Sequence, residues 1–121
     1  HHPVELSALI YSVRDLYPSK KITLIFQPHL FSRTKDFLNE FAEILSKVDR
    51  LVLLDIYAAR EQPISGFSIN NLFSIIELKD KIILDKKEIS NYLSDLGCEL
   101  ILIVGAGDVN SIIPDLKSAF S

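Results

Sequence analysis

Residues 22–34 read Ile22-Thr23-Leu24-Ile25-Phe26-Gln27-Pro28-His29-Leu30-Phe31-Ser32-Arg33-Thr34. The first five are nearly all apolar, the mark of a short strand buried on both faces rather than one with a wet side. A polar loop follows. Beyond it Phe37, Leu38, Phe41, Leu45 and Val48 recur at helical spacing, and Leu51-Val52-Leu53-Leu54 repeats the apolar strand at once. Strand, helix and strand in this order make a right-handed crossover unit whose two strands are parallel neighbours.

The same alternation extends in both directions. Upstream, Leu6, Leu9, Ile10, Val13 and Tyr17 form one helical stripe that Pro18 and Ser19 end. Downstream, a long connection from Asp55 to Phe67 contains Pro63 and Gly66, and Ser68 is placed to cap a third helix carrying Ile69, Leu72, Phe73 and Ile76. Lys81 to Leu84 reads as a short strand. A capping box, Asp85 with Glu88, opens a fourth helix with Ile89, Tyr92, Leu93 and Leu96, and Gly97 sits where a left-handed cap residue is wanted. Leu100 to Val104 is the last strand and runs into Gly105-Ala106-Gly107-Asp108. A final helix shows Val109, Ile112, Ile113 and Leu116, with Pro114 disturbing its first turn. The pattern predicts one α/β domain over residues 1–121, a three-layer, Rossmann-like fold. Its sheet is mainly parallel and doubly wound, with helices on both faces. Ile22–Phe26 and Leu51–Leu54 should be the central strands.

Composition bounds the function classes. A chain of 121 residues with net charge −3 lacks the basic footprint that nucleic-acid binding needs. No apolar run approaches the roughly 20 residues that cross a bilayer, and the N-terminus has no signal-peptide pattern. A single cysteine, Cys98, leaves no internal disulfide or multi-cysteine metal site. It opens an apolar run and reads as a buried, inert thiol. These features lead one to expect a soluble protein of a reducing compartment.

In a sheet of this kind ligands meet the loops at the carboxyl ends of the strands. The first loop offers Gln27, His29 and Arg33. A guanidinium there can grip a carboxylate or phosphate with two parallel bonds, helped by the start of the next helix. Equally, Arg33 can be a solvated helix-start residue and His29 a satisfied turn residue. Asp55, ending the second strand, can orient a ligand or a metal-bound water, or merely cap a turn. Arg60 and Glu61 read as surface charges of little energetic weight. Gly105-Ala106-Gly107-Asp108 fails the dinucleotide fingerprint, since its third glycine would fall at Asn110; it reads as a tight turn with Asp108 as N-cap. No phosphate-binding Gly-x-x-x-x-Gly-Lys-Ser/Thr loop is present, so nucleotide hydrolysis is not built into these residues.

Four segments in order, His1-His2-Pro3-x-Glu5-Leu6, Phe26-Gln27-Pro28-His29-x-Phe31-Ser32-Arg33-Thr34, Leu54-Asp55-Ile56-Tyr57-Ala58-Ala59 and Gly105-Ala106-Gly107-Asp108, resemble the C-terminal third of the Mur ligase family. Within it they look most like the members that join L-alanine to UDP-N-acetylmuramate. All three histidines fall inside matched segments, so His1 and His2 read as native rather than as a tag. Leu30 stands where many relatives have a second arginine, and Arg60 where many have glycine.

The resemblance implies a cytoplasmic, three-domain enzyme of peptidoglycan synthesis. This chain would be its lid and amino-acid subsite. The N-terminal domain would hold UDP-N-acetylmuramate and the central domain ATP with Mg²⁺. The muramate carboxylate would be activated as an acyl phosphate and attacked by the alanine amine. It further implies that His1, His2, His29 and Arg33 bind substrate, that Asp55, Tyr57, Glu61 and Asp108 give ATP-side or loop support, and that this segment alone carries no catalytic residue, metal or tightly bound cofactor. Three alternatives stand beside it. They are the related ligase that recycles a murein tripeptide, a stand-alone flavodoxin-like module binding a phosphate or other small molecule, and a non-catalytic interaction domain with Leu30, Phe31, Phe67 and Phe73 as an apolar patch.

Overall fold

The computed structural model describes residues 2–95, 97 and 99–105. In chain order the elements are α1 (Pro3–Leu16), β1 (Ile22–Gln27), α2 (Phe31–Asp36), α3 (Leu38–Leu45), β2 (Arg50–Leu53), α4 (Ile69–Ile75), β3 (Lys81–Ile83), α5 (Lys86–Ser94) and β4 (Leu100–Gly105). The strands form one sheet in the order β3-β2-β1-β4, parallel at every pairing. The two strands read as central are central.

Side-chain alternation along these strands builds two cores. Ile22, Leu24 and Phe26 of β1, with Leu51 and Leu53 of β2, join Leu6 and Ile10 of α1, Phe41 and Leu45 of α3, and Ile69 and Leu72 of α4. Ile25, Val52 and Leu54 face the other way, onto Ile89 and Leu93 of α5. Helices therefore cover both faces. All six residues of β1 are buried, as the apolar run requires. α5 starts with the Asp85 N–H donating to Glu88 Oε1 at 2.9 Å, and Gly97 has φ +60°, so both terminal signals of that helix were legible.

Several expectations are corrected. The α1 stripe is narrower than its spacing suggested: Leu9 and Tyr17 are 38% and 45% exposed, because the helix meets the sheet mainly through Leu6 and Ile10. The second helical segment is two helices. The chain turns helical at Phe31, breaks at Phe37 (φ −111°, ψ 27°) and resumes at Leu38. Phe31–Asp36 has no apolar stripe, so helical periodicity could not disclose it. Val48 lies beyond α3 yet is 3% exposed, and β1 extends to Gln27. The last helix, Leu96 and Cys98 lie outside the described residues.

One polar tie fixes the amino ends of the strands. Asp49 Oδ2 accepts from Ile22 N–H at 2.7 Å and from Arg14 Nη1 at 3.1 Å. Arg14 Nη2 also donates to the Lys47 carbonyl at 2.7 Å. The end of α1 and the turn before β2 are thereby locked to the start of β1, which sets the register that the carboxyl ends inherit.

Candidate functional site

The loops that leave β1 and β2 are zipped together. Tyr57 N–H donates to the Pro28 carbonyl at 2.9 Å, and Leu30 N–H to the Tyr57 carbonyl at 2.8 Å. This gives an isolated parallel bridge between His29 and Tyr57, whose rings lie 5.8 Å apart. Two of the residues given substrate or support roles on sequence grounds are thus brought together. Below them Gln27 is 7% exposed. Its Nε2 donates to the Asp55 carbonyl at 3.3 Å, while its Oε1 has no hydrogen-bond partner among the described residues.

Leu30 pays the conformational cost of this arrangement, with φ 71° and ψ 135°, a combination that a β-carbon disfavours. It is held there from both sides. Its N–H is bound to Tyr57, and its carbonyl accepts from Thr34 N–H at 3.1 Å and Thr34 Oγ1 at 2.7 Å. Thr34 is fully buried, an anchor that sequence reasoning missed because its hydroxyl bonds only within the turn. Leu30→Gly should relieve the strain and raise unfolding stability by about 1 kcal/mol, after allowance for glycine's greater chain entropy. A urea melt with an unmoved or lowered midpoint would refute this.

Arg33 occupies the third position of α2, inside the helix rather than on the loop before it. It is half-buried. Among the described residues its guanidinium has no hydrogen bond or ion pair. The positive end of α2, by contrast, is taken. Glu61, reaching over from the β2–α4 loop, accepts from Ser32 N–H through Oε1 at 3.1 Å and from Ser32 Oγ through Oε2. The Ser32 hydroxyl bond holds the Glu61 carboxyl below the usual carboxylate range against a smaller opposing effect of burial. The backbone N–H groups of Ser32 and Phe31 and the charge of His29 add to the lowering. Glu61, one of two adjacent surface charges and a loop-support residue by the resemblance, thus ties its own loop to Ser32, and the helix start is not an open seat for a ligand anion.

His2 is the N-cap of α1, its Nδ1 accepting from Val4 N–H at 3.2 Å. Its ring lies 4.8 Å from that of Phe37, the residue one turn beyond Arg33. Asp55 is exposed and its Oδ1 accepts from Ile56 N–H at 2.9 Å, the turn-capping alternative in its simplest form. His1 and Asp108 lie outside the described residues. Among the described residues no group of three or more His, Cys, Asp or Glu side chains could hold a metal ion, and no helix is long and apolar enough to cross a membrane.

Two other features compete for attention. A cavity of about 400 Å³ lies at the opposite, amino end of the sheet, lined by Lys21, Thr23, Asp49, Arg50, Asp80 and Glu99. Among the described residues, all of its charges but that of Lys21 are engaged with one another or with backbone: Arg50 Nε with Asp80 at 3.1 Å, Glu99 with Lys21 N–H at 2.8 Å, and Asp49 as described. It reads as structural. Phe31, Phe67 and Phe73, suggested as an exposed patch, pack instead against the larger core.

No family model matches the chain. Curated relatives are similar across almost all of it. UDP-N-acetylmuramate–L-alanine ligase of Flavobacterium psychrophilum is 45% identical over 117 residues, 97% of this chain and 26% of that enzyme. The enzymes of that name from Christiangramia forsetii and Porphyromonas gingivalis are 44% and 46% identical, over 98% and 97% of this chain and 26% of their own length. The chain therefore spans about a quarter of the curated relatives it matches. Among solved structures, a domain from Haemophilus ducreyi, described as from a UDP-N-acetylmuramate:L-alanyl-γ-D-glutamyl-diaminopimelate ligase, superposes with a TM-score of 0.72 at 19% identity. The superposition covers all of this chain and 85% of that one. At that identity the likeness concerns the fold.

Proposed function

We propose that this chain, which belongs by sequence to the Mur ligase family, is the C-terminal lid and amino-acid-binding domain of a cytoplasmic enzyme that joins L-alanine to UDP-N-acetylmuramate. The observation that carries the reading is Arg33: a half-buried arginine, its guanidinium uncommitted among the described residues, in the first turn of the helix that follows a central strand. A planar fork of donors in that position suits a carboxylate. L-alanine supplies one. His29 lies on the loop before this helix and His2 against Phe37 at the helix's far end; with His1 they would complete the subsite.

ATP and Mg²⁺ would be held by the central domain of the parent chain, and UDP-N-acetylmuramate by its N-terminal domain. In keeping with that division, this sequence has no phosphate-binding loop. When bound, ATP supplies the phosphoryl group that activates the muramate carboxylate for attack by the alanine amine. The part of this domain is to orient the amino acid and, by closing, to keep water from the activated carboxylate. Asp55, Tyr57 and Asp108 would support the loops on the ATP side. The tripeptide-recycling alternative has less support. Relatives carrying the alanine-ligase name are 44–46% identical, whereas the structural neighbour named for the tripeptide reaction is 19% identical.

The test is a division of labour. Purified residues 1–121 given ATP, Mg²⁺, UDP-N-acetylmuramate and L-alanine should release ADP no faster than the blank, and the full-length protein containing them should turn over only with all three substrates. Turnover by the short chain, or a full-length protein indifferent to L-alanine, would end the proposal.

A further inference from the structure

We propose that Glu61 is a positioning residue for Arg33: its carboxylate supplies the N-terminal cap that α2 lacks, so that seating of the 59–66 strap sets the helix presenting the guanidinium. The inference rests on the reading of Arg33 as the amino-acid clamp. α2 has six residues and its N-cap is Leu30, which makes no side-chain cap bond. A helix so short does not sustain itself, since the fixed cost of nucleation is spread over too few hydrogen bonds. The ordinary remedy is a Ser, Thr, Asp or Asn at the N-cap. Here Leu30 is committed instead to the zipped loops, and the oxygen acceptor arrives from 29 residues away.

The strap that delivers it is built to be seated as a unit. Positive φ angles at Ala59 (55°) and Gly66 (76°) bracket it, and Arg60, Gln62, Pro63 and Ser65 between them are exposed. Its backbone bonds, Glu61 N–H to the Ala58 carbonyl and Phe67 N–H to the Ile64 carbonyl, are local. Among the described residues its hydrogen bonds to the rest of the domain all pass through the Glu61 carboxylate, to the backbone and hydroxyl of Ser32. Arg33 follows Ser32 directly, so unseating the strap frees the turn on which the guanidinium stands.

The test uses the full-length ligase carrying Glu61→Ala, Glu61→Gln or Ser32→Ala, with amide hydrogen exchange and steady-state kinetics measured on each. Glu61→Ala should speed exchange at Ser32, whose N–H donates to Glu61, and at Thr34, whose N–H makes the first bond of the helix, by roughly tenfold, the size of a lost cap, with the amides of β1 and β2 unchanged. KM for L-alanine should rise while kcat and KM for ATP stay nearly constant. Glu61→Gln, which keeps a carbonyl acceptor, should recover part of both effects, and Ser32→Ala should show a smaller version of them. Unaltered exchange at Ser32 and Thr34 overturns the capping role, whatever the enzyme's substrate. Faster exchange with an unmoved alanine KM overturns the positioning role and places the fault in the assignment of Arg33 to the amino acid.

Discussion

In the proposed ligase, Arg33→Ala should raise KM for L-alanine by roughly 30- to 4,000-fold, and Arg33→Lys should recover only part of the loss. The range follows from a cost of about 2–5 kcal/mol for losing a hydrogen-bonded charge pair whose partner stays buried, at about 1.4 kcal/mol per decade. Lysine keeps the charge but not the geometry, because an ammonium cannot make two parallel bonds to one carboxylate. Two observations push the expectation toward a large effect. Position 30 is leucine, so no second guanidinium stands in that turn to share the load. Arg33 also makes no competing ion pair among the described residues. Affinities for ATP and UDP-N-acetylmuramate should hardly change, since in the proposed enzyme both are held by other domains. Kinetics with each substrate varied in turn separate the cases: an unchanged alanine KM, or a loss confined to ATP, would remove Arg33 from the amino-acid subsite.

The fold was readable because the strands are apolar along their whole length. Runs such as Ile22–Phe26 and Leu51–Leu54 admit few environments, and their spacing by helical stripes leaves a parallel sheet as the natural solution. Much of the candidate site was readable only as a set of residues. His29 and Tyr57 were both named, but their bridge depends on hydrogen bonds through Pro28 and Leu30, and no side-chain pattern encodes main-chain pairing between loops. Glu61 was named as loop support by the resemblance alone, because adjacent Arg and Glu on a loop usually face solvent. Its partner Ser32 lies far away in sequence and meets it only once β1 and β2 are neighbours. α2 was hidden for a related reason: a helix held by a distant cap and a buried Thr34 needs no apolar stripe. Leu30 illustrates the limit of reading residue types. A leucine at positive φ is chosen by the two loops it joins, not by its own propensity.

Phe26→Ala should be the most damaging single substitution on the sheet side of this site, lowering unfolding stability by about 3–5 kcal/mol. The side chain is fully buried and is one of the largest in the core. Its ring lies 5.6 Å from that of Phe41 of α3, and its backbone carbonyl accepts from Leu54 N–H at 3.0 Å where β2 ends. Truncation removes the transfer energy of the ring and leaves a cavity between sheet and helix that close-packed neighbours can only partly fill. Against the 5–15 kcal/mol typical of a domain, that is about a fifth or more of the total. The effect should reach function as well as folding, because Phe26 immediately precedes Gln27 and the zipped loop that carries His29 and Leu30. Val4→Ala supplies the contrast. Val4 is 69% exposed on α1, and its truncation should stay within about 0.5 kcal/mol. Urea melts of the two variants beside the parent decide the matter: equal midpoint shifts, or a Phe26→Ala cost below about 1.5 kcal/mol, would mean that the packing between β1 and α3 does not hold this end of the sheet.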